Sequence, residues 1–247
     1  HAFVEGLQRF AVERQFSLAI QGGLNQTFPN IRQMYPLWDS TAYEQEYTSQ
    51  YSLRGGLNLK WHFGGHFTLA AGAEYLEAQY TRQAIQEDQT MVEFREKVTG
   101  VSAPLVFEFV IPGMKKLKPG IFLGGYYRYL LTSTANLEYS TAVNNGTNTP
   151  PADIDMLSSR REHNFGGLMG LRLAYRMGFV TPFAEARYAI DLQSHVKDGQ
   201  RYENSGLSND YNYFSDDFRM NRLHVSVGLS FILSRKVSYR YDNWYLR

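Results

Sequence analysis

The chain has 247 residues, and its 25 basic against 24 acidic side chains leave a formal charge of +1, so no global field points to nucleic acid or another polyanion. Cysteine is absent, which excludes disulfides, thiolate metal sites and cysteine nucleophiles. The 18 Tyr, 16 Phe, 3 Trp and 21 Gly against 8 Pro suit a many-stranded β protein, and no apolar run reaches the roughly 18 residues of a membrane helix, which says nothing against a barrel of alternating strands.

Residues 1–14 carry no signal-peptide pattern, the expectation for a processed or truncated end. Val4, Leu7, Phe10 and Ala11 have helical spacing. A short amphipathic helix against a rim or membrane fits them, and so does a frayed linker.

Period-two alternation then recurs in eight segments, near residues 15–26, 47–63, 67–82, 92–111, 119–134, 163–176, 179–194 and 218–233. Each is long enough to cross about 25 Å of hydrocarbon when tilted. In "SQYSLRGGLNLKWHF" Tyr51, Leu53, Leu57, Leu59 and Trp61 alternate with Arg54, Asn58, Lys60 and His62. In "RLHVSVGLSFIL" Leu223, Val225, Val227 and Leu229 alternate with His224, Ser226 and Gly228.

The connections alternate in length. Gly64-Gly65, the "PGMKKLK" of 112–118 and Arg176-Met177-Gly178 have tight-turn chemistry, whereas 27–46, a shorter stretch near 83–91, 140–160 and 197–217 are polar loops. The prediction is an all-β, eight-stranded antiparallel up-and-down transmembrane β-barrel with short periplasmic turns, long extracellular loops and both termini periplasmic. Its organisation is an N-terminal periplasmic segment over 1–14, the outer-membrane barrel over 15–233 and a C-terminal periplasmic tail over 234–247.

Glycine assigns the two faces. Gly23, Gly56, Gly72, Gly100, Gly124, Gly170 and Gly228 share the polar parity, and small residues must alternate with large ones inside a narrow barrel. The same parity carries Arg54, Lys60, Arg128, Arg172, Arg176 and Arg187 against Glu74, Glu108, Glu185 and Asp191. Near balance predicts an interior ion-pair network that fills the lumen. A soluble lipocalin-like barrel is the structural rival, and it would need an apolar interior. Trp61, Phe63, Phe67, Phe109, Tyr175 and Phe231 are expected to form an interfacial girdle on the turn side.

The stretches "FSLAIQGGLNQTF", "VSAPLVFEF", "KPGIFLGGYYRYLL", "FGGLMGLRLAY", "TPFAEARYAIDL" and "LHVSVGLSFIL" resemble the PorT-like family of outer-membrane β-barrel proteins from Bacteroidota. The resemblance covers roughly residues 15–233 and implies a small eight-stranded barrel; the founding member is associated with type IX protein secretion and gliding. The chain departs from the pattern in its two tails.

Tyr35, Trp38, Tyr211, Tyr213 and Phe214 in the loops and Tyr239, Tyr241, Trp244 and Tyr245 in the back tail have the composition of interface anchors. Loops that pack on one another above the barrel are the alternative. The expected surroundings are outer-membrane lipids and lipopolysaccharide, with other envelope proteins docking through loops or periplasmic tails.

Ser158, Ser159, Glu162 and His163, or His195 with Asp198, could converge at the outer rim as a lipid- or peptide-modifying site. No recognised nucleophile motif frames them, and a solvated polar collar accounts for the same residues. His62 and His66 have a metal-like separation without a third ligand, and Asp210, Asp216 and Asp217 lack calcium-loop spacing. No catalytic, cofactor-binding or metal residue is assigned. The sequence is read as a non-enzymatic structural or accessory subunit of a cell-envelope assembly, with a rim-active enzyme and a narrow or gated pore as alternatives.

Overall fold

The structure is a computed structural model that describes residues 7–35, 45–63, 65–85, 90–112, 116–141, 153–197, 199–200 and 214–243, and, within strands, not the side chains of 7–13, 45, 84–85, 90–92, 139–141 and 237–243. The alternating segments form β1 (Leu7–Gln33), β2 (Gln45–Ser49), β3 (Tyr51–Phe63), β4 (Phe67–Ile85), β5 (Thr90–Val110), β6 (Leu117–Thr141), β7 (Ile154–Asp155), β8 (His163–Tyr175), β9 (Val180–Asp191) and β10 (Asp217–Asn243). Among the described residues, a 3-10 turn covers Leu157–Ser159.

The sheet runs β3-β1-β10-β9-β8-β6-β5, and β4 pairs with both β5 and β3, so it closes into an antiparallel ring. β2 continues β3 across Gln50 on the same partner, β4, and β7 is a two-residue addition to β6. The ten strands therefore make eight staves, one for each alternating segment. Gly65 and Gly178 sit in the tight turns at φ of 79° and 63°, which a residue with a Cβ adopts only at a cost.

The ends of the chain depart from expectation. Instead of a short helix, Leu7–Glu13 is strand, and instead of a separate tail, Val237–Asn243 is its antiparallel partner, from Leu7 opposite Asn243 to Glu13 opposite Val237. β1 first meets β3 at Arg14 opposite Phe63, and β9 pairs with β10 only over Arg222–Phe231. Beyond the turn-side rim the two ends thus form a two-stranded ribbon with no other strand beside it among the described residues. Helical spacing over four positions is a weak local preference, and pairing with the far end of the chain overrides it. The strands run continuously through 14/15 and 233/234, and near these positions the ring gives way to the ribbon.

Burial inverts the order of a soluble barrel. On β3, Ser52, Arg54, Asn58 and Lys60 are buried while Tyr51, Leu53, Leu57, Leu59 and Trp61 are exposed. Outside, the apolar face continues around the ring through Leu105, Leu123, Leu171 and Val227, the last 66% exposed.

Three inward aromatics lie directly across from inward glycines: Phe122 opposite Gly170, Tyr126 opposite Gly166 and Phe183 opposite Gly228. A Cβ on Gly170 or Gly228 would stand 2.5 Å from the ring edge of Phe122 or Phe183. It would stand 2.4 Å from the Ala186 or Ile20 carbonyl oxygen as well, so each glycine makes room both for the ring and for the neighbouring strand's backbone.

The interior is not charged throughout. Toward the loop side, Ala78, Tyr80, Phe94, Val98, Leu130, Leu137, Phe218 and Met220 form an apolar core, closed by Met156 and Val196 from connecting segments. On the outside of that half the apolar face gives way to charge, with Arg95 and Lys97 exposed on β5. A bulge supports the change: Thr99 faces Thr132 and Gly100 faces Leu130, leaving Leu131 as an extra outward residue on β6.

Candidate functional site: the charged lumen and its turn-side mouth

Inward parity on five staves brings six of the expected network residues into one chain of ion pairs. Arg54 lies 2.7 Å from Glu74, Glu74 lies 2.9 Å from Arg187, and Arg187 lies 3.2 Å from Glu185. Glu185 then binds Arg172 at 2.6 Å, and Arg172 closes on Glu108. β4 and β9 occupy opposite sides of the ring, so the Glu74–Arg187 link spans the lumen. The Arg172 guanidinium also lies 5.4 and 5.2 Å from the rings of Phe122 and Phe183. Alternation of sign leaves neither arginines nor carboxylates to face a like charge alone.

Asp191 anchors a second group one level toward the loops. Arg128 reaches it at 2.7 Å and Arg222 at 3.0 Å, with Asn164 at 3.3 Å and the Tyr126 hydroxyl donating to the same carboxylate. Arg222 stands 5.0 Å from the Tyr126 ring. His224 is likewise inward and buried, in register with Arg187.

A third group lies in the apolar core of the loop-side half, outside the apolar belt. Arg160 donates to both oxygens of Glu96 at 2.8 and 2.6 Å, and the hydroxyls of Ser133 and Tyr80 donate to them as well. His195 Nε2 is 3.6 Å from Glu96, and all three ionisable side chains are fully buried. Burial alone would raise the Glu96 carboxyl, but the Arg160 guanidinium overrides it and holds it below the usual carboxylate range. Burial drives the His195 imidazole down to about 4 against the pull of Glu96.

Two of the ten expected network residues stand apart from these pairs. Arg176 lies past the end of β8, half-buried, at the mouth of the barrel. Lys60 is buried, yet it makes no hydrogen bond or ion pair among the described residues; its ammonium lies 4.1 Å from the centroid of the Phe183 ring. Both line a cavity of about 140 Å³ that opens on the turn side. Parity identified the inward residues. Glu96 and Arg222 share that parity and are buried, although they were not among the expected network residues; what parity could not supply is Arg160, which lies outside any strand, or the pairing of residues far apart in sequence.

The two rim segments meet, with Arg160 bridged to Val196 and the Lys197 N–H donating to the Ser159 carbonyl at 3.0 Å, but the described side chains do not form one catalytic group. His163 is exposed, hydrogen-bonded to the Tyr127 hydroxyl at 2.6 Å and packed near Tyr129, whereas His195 is buried on Glu96. The Ser159 hydroxyl donates to the Met156 carbonyl at 2.9 Å, and Glu162 pairs with Lys197 at 3.0 Å. Asp198 lies outside the described residues. His62 bonds Ser17 and Thr68, each at 2.8 Å, while His66 is exposed in the turn.

Of the expected contact residues, Trp38, Tyr211, Tyr213, Trp244 and Tyr245 lie outside the described residues, as do the side chains of Tyr239 and Tyr241. Tyr35 and Phe214 are drawn inward by their backbones: the Tyr35 N–H donates to Asp216 at 2.8 Å, and the Phe214 carbonyl accepts from Arg82 at 2.7 Å. Arg82 pairs with Asp216 at 3.2 Å.

Aromatic rings form a connected patch on the turn-side exterior. Phe16 stacks on Trp61 at 6.1 Å, Trp61 meets Phe63 at 5.1 Å, and Phe63 meets Phe67 at 6.0 Å. Phe67 continues to Phe107 and Phe109 at 5.6 and 5.5 Å. Tyr175 is exposed on the same rim.

No family model and no curated protein matches the sequence. Among solved structures, the chain is similar to the outer membrane protein OprG from Pseudomonas aeruginosa, at 10% identity over 89% of this chain and 97% of that one, with a TM-score of 0.46. Outer membrane protease OmpT from Escherichia coli aligns at 8% identity over 94% of this chain and 100% of that one, with a TM-score of 0.45. Outer membrane protein AlkL aligns at 9% identity over 95% of both chains, with a TM-score of 0.46.

Proposed function

We propose that the chain is an integral outer-membrane β-barrel without enzymatic activity, acting as a structural or accessory subunit of a cell-envelope assembly. The observation that carries this is the inversion of burial in a closed ring: Val225, Val227, Leu57 and Leu171 face outward while Arg54, Glu74, Arg187 and Glu185 are buried. In water that arrangement would expose a belt of apolar surface far beyond ordinary patches and bury charge besides; in a bilayer the belt meets lipid. The short turns and the β1–β10 ribbon are then periplasmic, and the loop-side half stands above the outer leaflet beside lipopolysaccharide.

An accessory role fits a lumen crossed by ion pairs better than a free aqueous channel, which takes about twice as many strands. The ribbon supplies a docking element, since unpaired strand edges accept a further strand from a partner. A place beside the type IX secretion apparatus follows from the resemblance to PorT-like barrels.

The test is affinity purification from detergent-solubilised outer membranes, comparing the full chain with a variant lacking residues 1–13 and 237–247. Both are expected to show heat-modifiable gel mobility, and only the full chain to retain its co-purifying envelope proteins. A chain soluble without detergent would overturn the membrane reading. Equal recovery of partners by the two forms would overturn the docking role of the ribbon, and a lipid- or peptide-modifying activity lost in His163→Ala would overturn the non-enzymatic one.

A further inference from the structure

We infer that the turn-side mouth of the barrel is a binding site for a small oxyanion of phosphate or carboxylate size, with Lys60 as its principal ligand. The cavity there holds about 140 Å³. The space accepts a phosphate or a short carboxylate together with waters. Four cations, Lys60, Lys118, Arg172 and Arg176, line it against one carboxylate, Glu108, among the described residues.

The distribution of partners within the lining is uneven. Glu108 is taken by Arg172, and Arg172 is shared with Glu185, which in turn holds Arg187. Glu108 and Glu185 act on Lys60 through space, but among the described residues no carboxylate comes within ion-pair distance of it. Its side chain is only 3% exposed, and its ammonium rests against the Phe183 face, which itself lines the cavity. An ammonium withdrawn from water to this degree and lacking an ion pair is costly, and an incoming anion offsets that cost with a charge-assisted contact.

Neutral donors stand at the same level. Ser230 and Thr181 are in register on β10 and β9, and both line the cavity. Hydroxyls beside an ammonium can complete the coordination of a tetrahedral or planar oxyanion. Lys118 and Arg176 at the lip favour entry of an anion over a cation.

The experiment uses the full chain refolded in a non-ionic, phosphate-free detergent, titrated separately with inorganic phosphate and with acetate at constant ionic strength. Isothermal calorimetry is expected to show saturable binding of one or both, the tighter of the two assigning a tetrahedral or a planar ligand. Lys60→Met is expected to weaken that binding by about tenfold to a hundredfold, the loss of a charge-assisted contact, whereas Lys97→Met on the outer surface leaves it unchanged. Should Lys60→Met fail to fold, the Lys60 Cε resonance of 13C-lysine-labelled wild-type protein supplies the reading, and it is expected to shift with either probe. Absence of a saturable response in the wild type, a folded Lys60→Met variant that binds as well as the wild type, or a Lys60 resonance indifferent to both anions would overturn the inference.

Discussion

Arg160, from the segment that follows the 3-10 turn, folds back into the loop-side half of the barrel and grips Glu96 of β5 through two hydrogen bonds of 2.8 and 2.6 Å, with both side chains fully buried. The pair ties a connecting segment to the ring. Replacing one member leaves the other as an uncompensated buried charge, so Arg160→Met should destabilise the protein by roughly 3–5 kcal/mol, and Glu96→Leu with Arg160→Met together by less than either alone. Urea unfolding of the detergent-folded protein, followed by heat-modifiable mobility, measures the difference.

The same cluster makes the loop-side half sensitive to acid. Burial pushes the folded His195 imidazole down to about 4 from its ordinary 6.5, so the unfolded chain binds more protons between those limits. Stability is therefore full above about pH 6.5 and falls as pH drops toward 4, by on the order of 3 kcal/mol. Glu96, held below the usual carboxylate range, contributes stability above its unfolded value near 4.3 that is lost as pH falls further. Unfolding midpoints between pH 7 and pH 4 should slope downward in the wild type, and His195→Gln should flatten that window while leaving the steeper loss below it.

Arg172 is the shared cation of Glu108 and Glu185. Arg172→Met should cost roughly 3–5 kcal/mol because two buried carboxylates lose it at once, and adding Glu108→Gln and Glu185→Gln should restore most of the loss. If the triple variant were no more stable than the single one in urea, ion pairing would not be what fills this part of the lumen.

Phe183 stands over Gly228 and touches both cationic neighbours, Lys60 and Arg172. A Cβ at 228 would also stand 2.4 Å from the Ile20 carbonyl oxygen of β1, so Gly228→Ala must shift the strand as well as the ring, with an expected cost of about 1–3 kcal/mol from overpacking. The near-ultraviolet circular dichroism of the folded barrel should change with it, and a variant with unchanged spectrum and midpoint would show that the ring does not need the space.

Val227 lies in the outer belt, in register with Gly22 and Ala184. Val227→Arg should lower folding free energy into phosphatidylcholine vesicles by about 2–4 kcal/mol if the residue sits near the bilayer midplane, and by far less near its edges. A neutral outcome in vesicles would place this face in water.

Strand alternation was legible because it repeats eight times and agrees with the turn chemistry at Gly65 and Gly178. The parity of Arg54, Glu74, Arg172 and Arg187 followed from it. What parity leaves open is partnership. Lys60 and Arg54 have the same parity on the same strand, yet one is paired and the other faces a cavity, because the carboxylates that decide this lie on β4, β5 and β9. The ribbon was hidden for a related reason: Phe10 and Arg240 are neighbours only through a pairing that spans nearly the whole chain. Arg160 lay in a stretch that sequence assigned to a polar loop.

The seam between β1 and β10 joins the two extremes of the chain. Until β10 docks, β1 and β9 each present an open edge, and the closing contact joins residues about two hundred positions apart, at a large cost in loop entropy. Closure of the ring is thereby cooperative: docking of β10 against β1 and β9 removes both sticky margins in a single event.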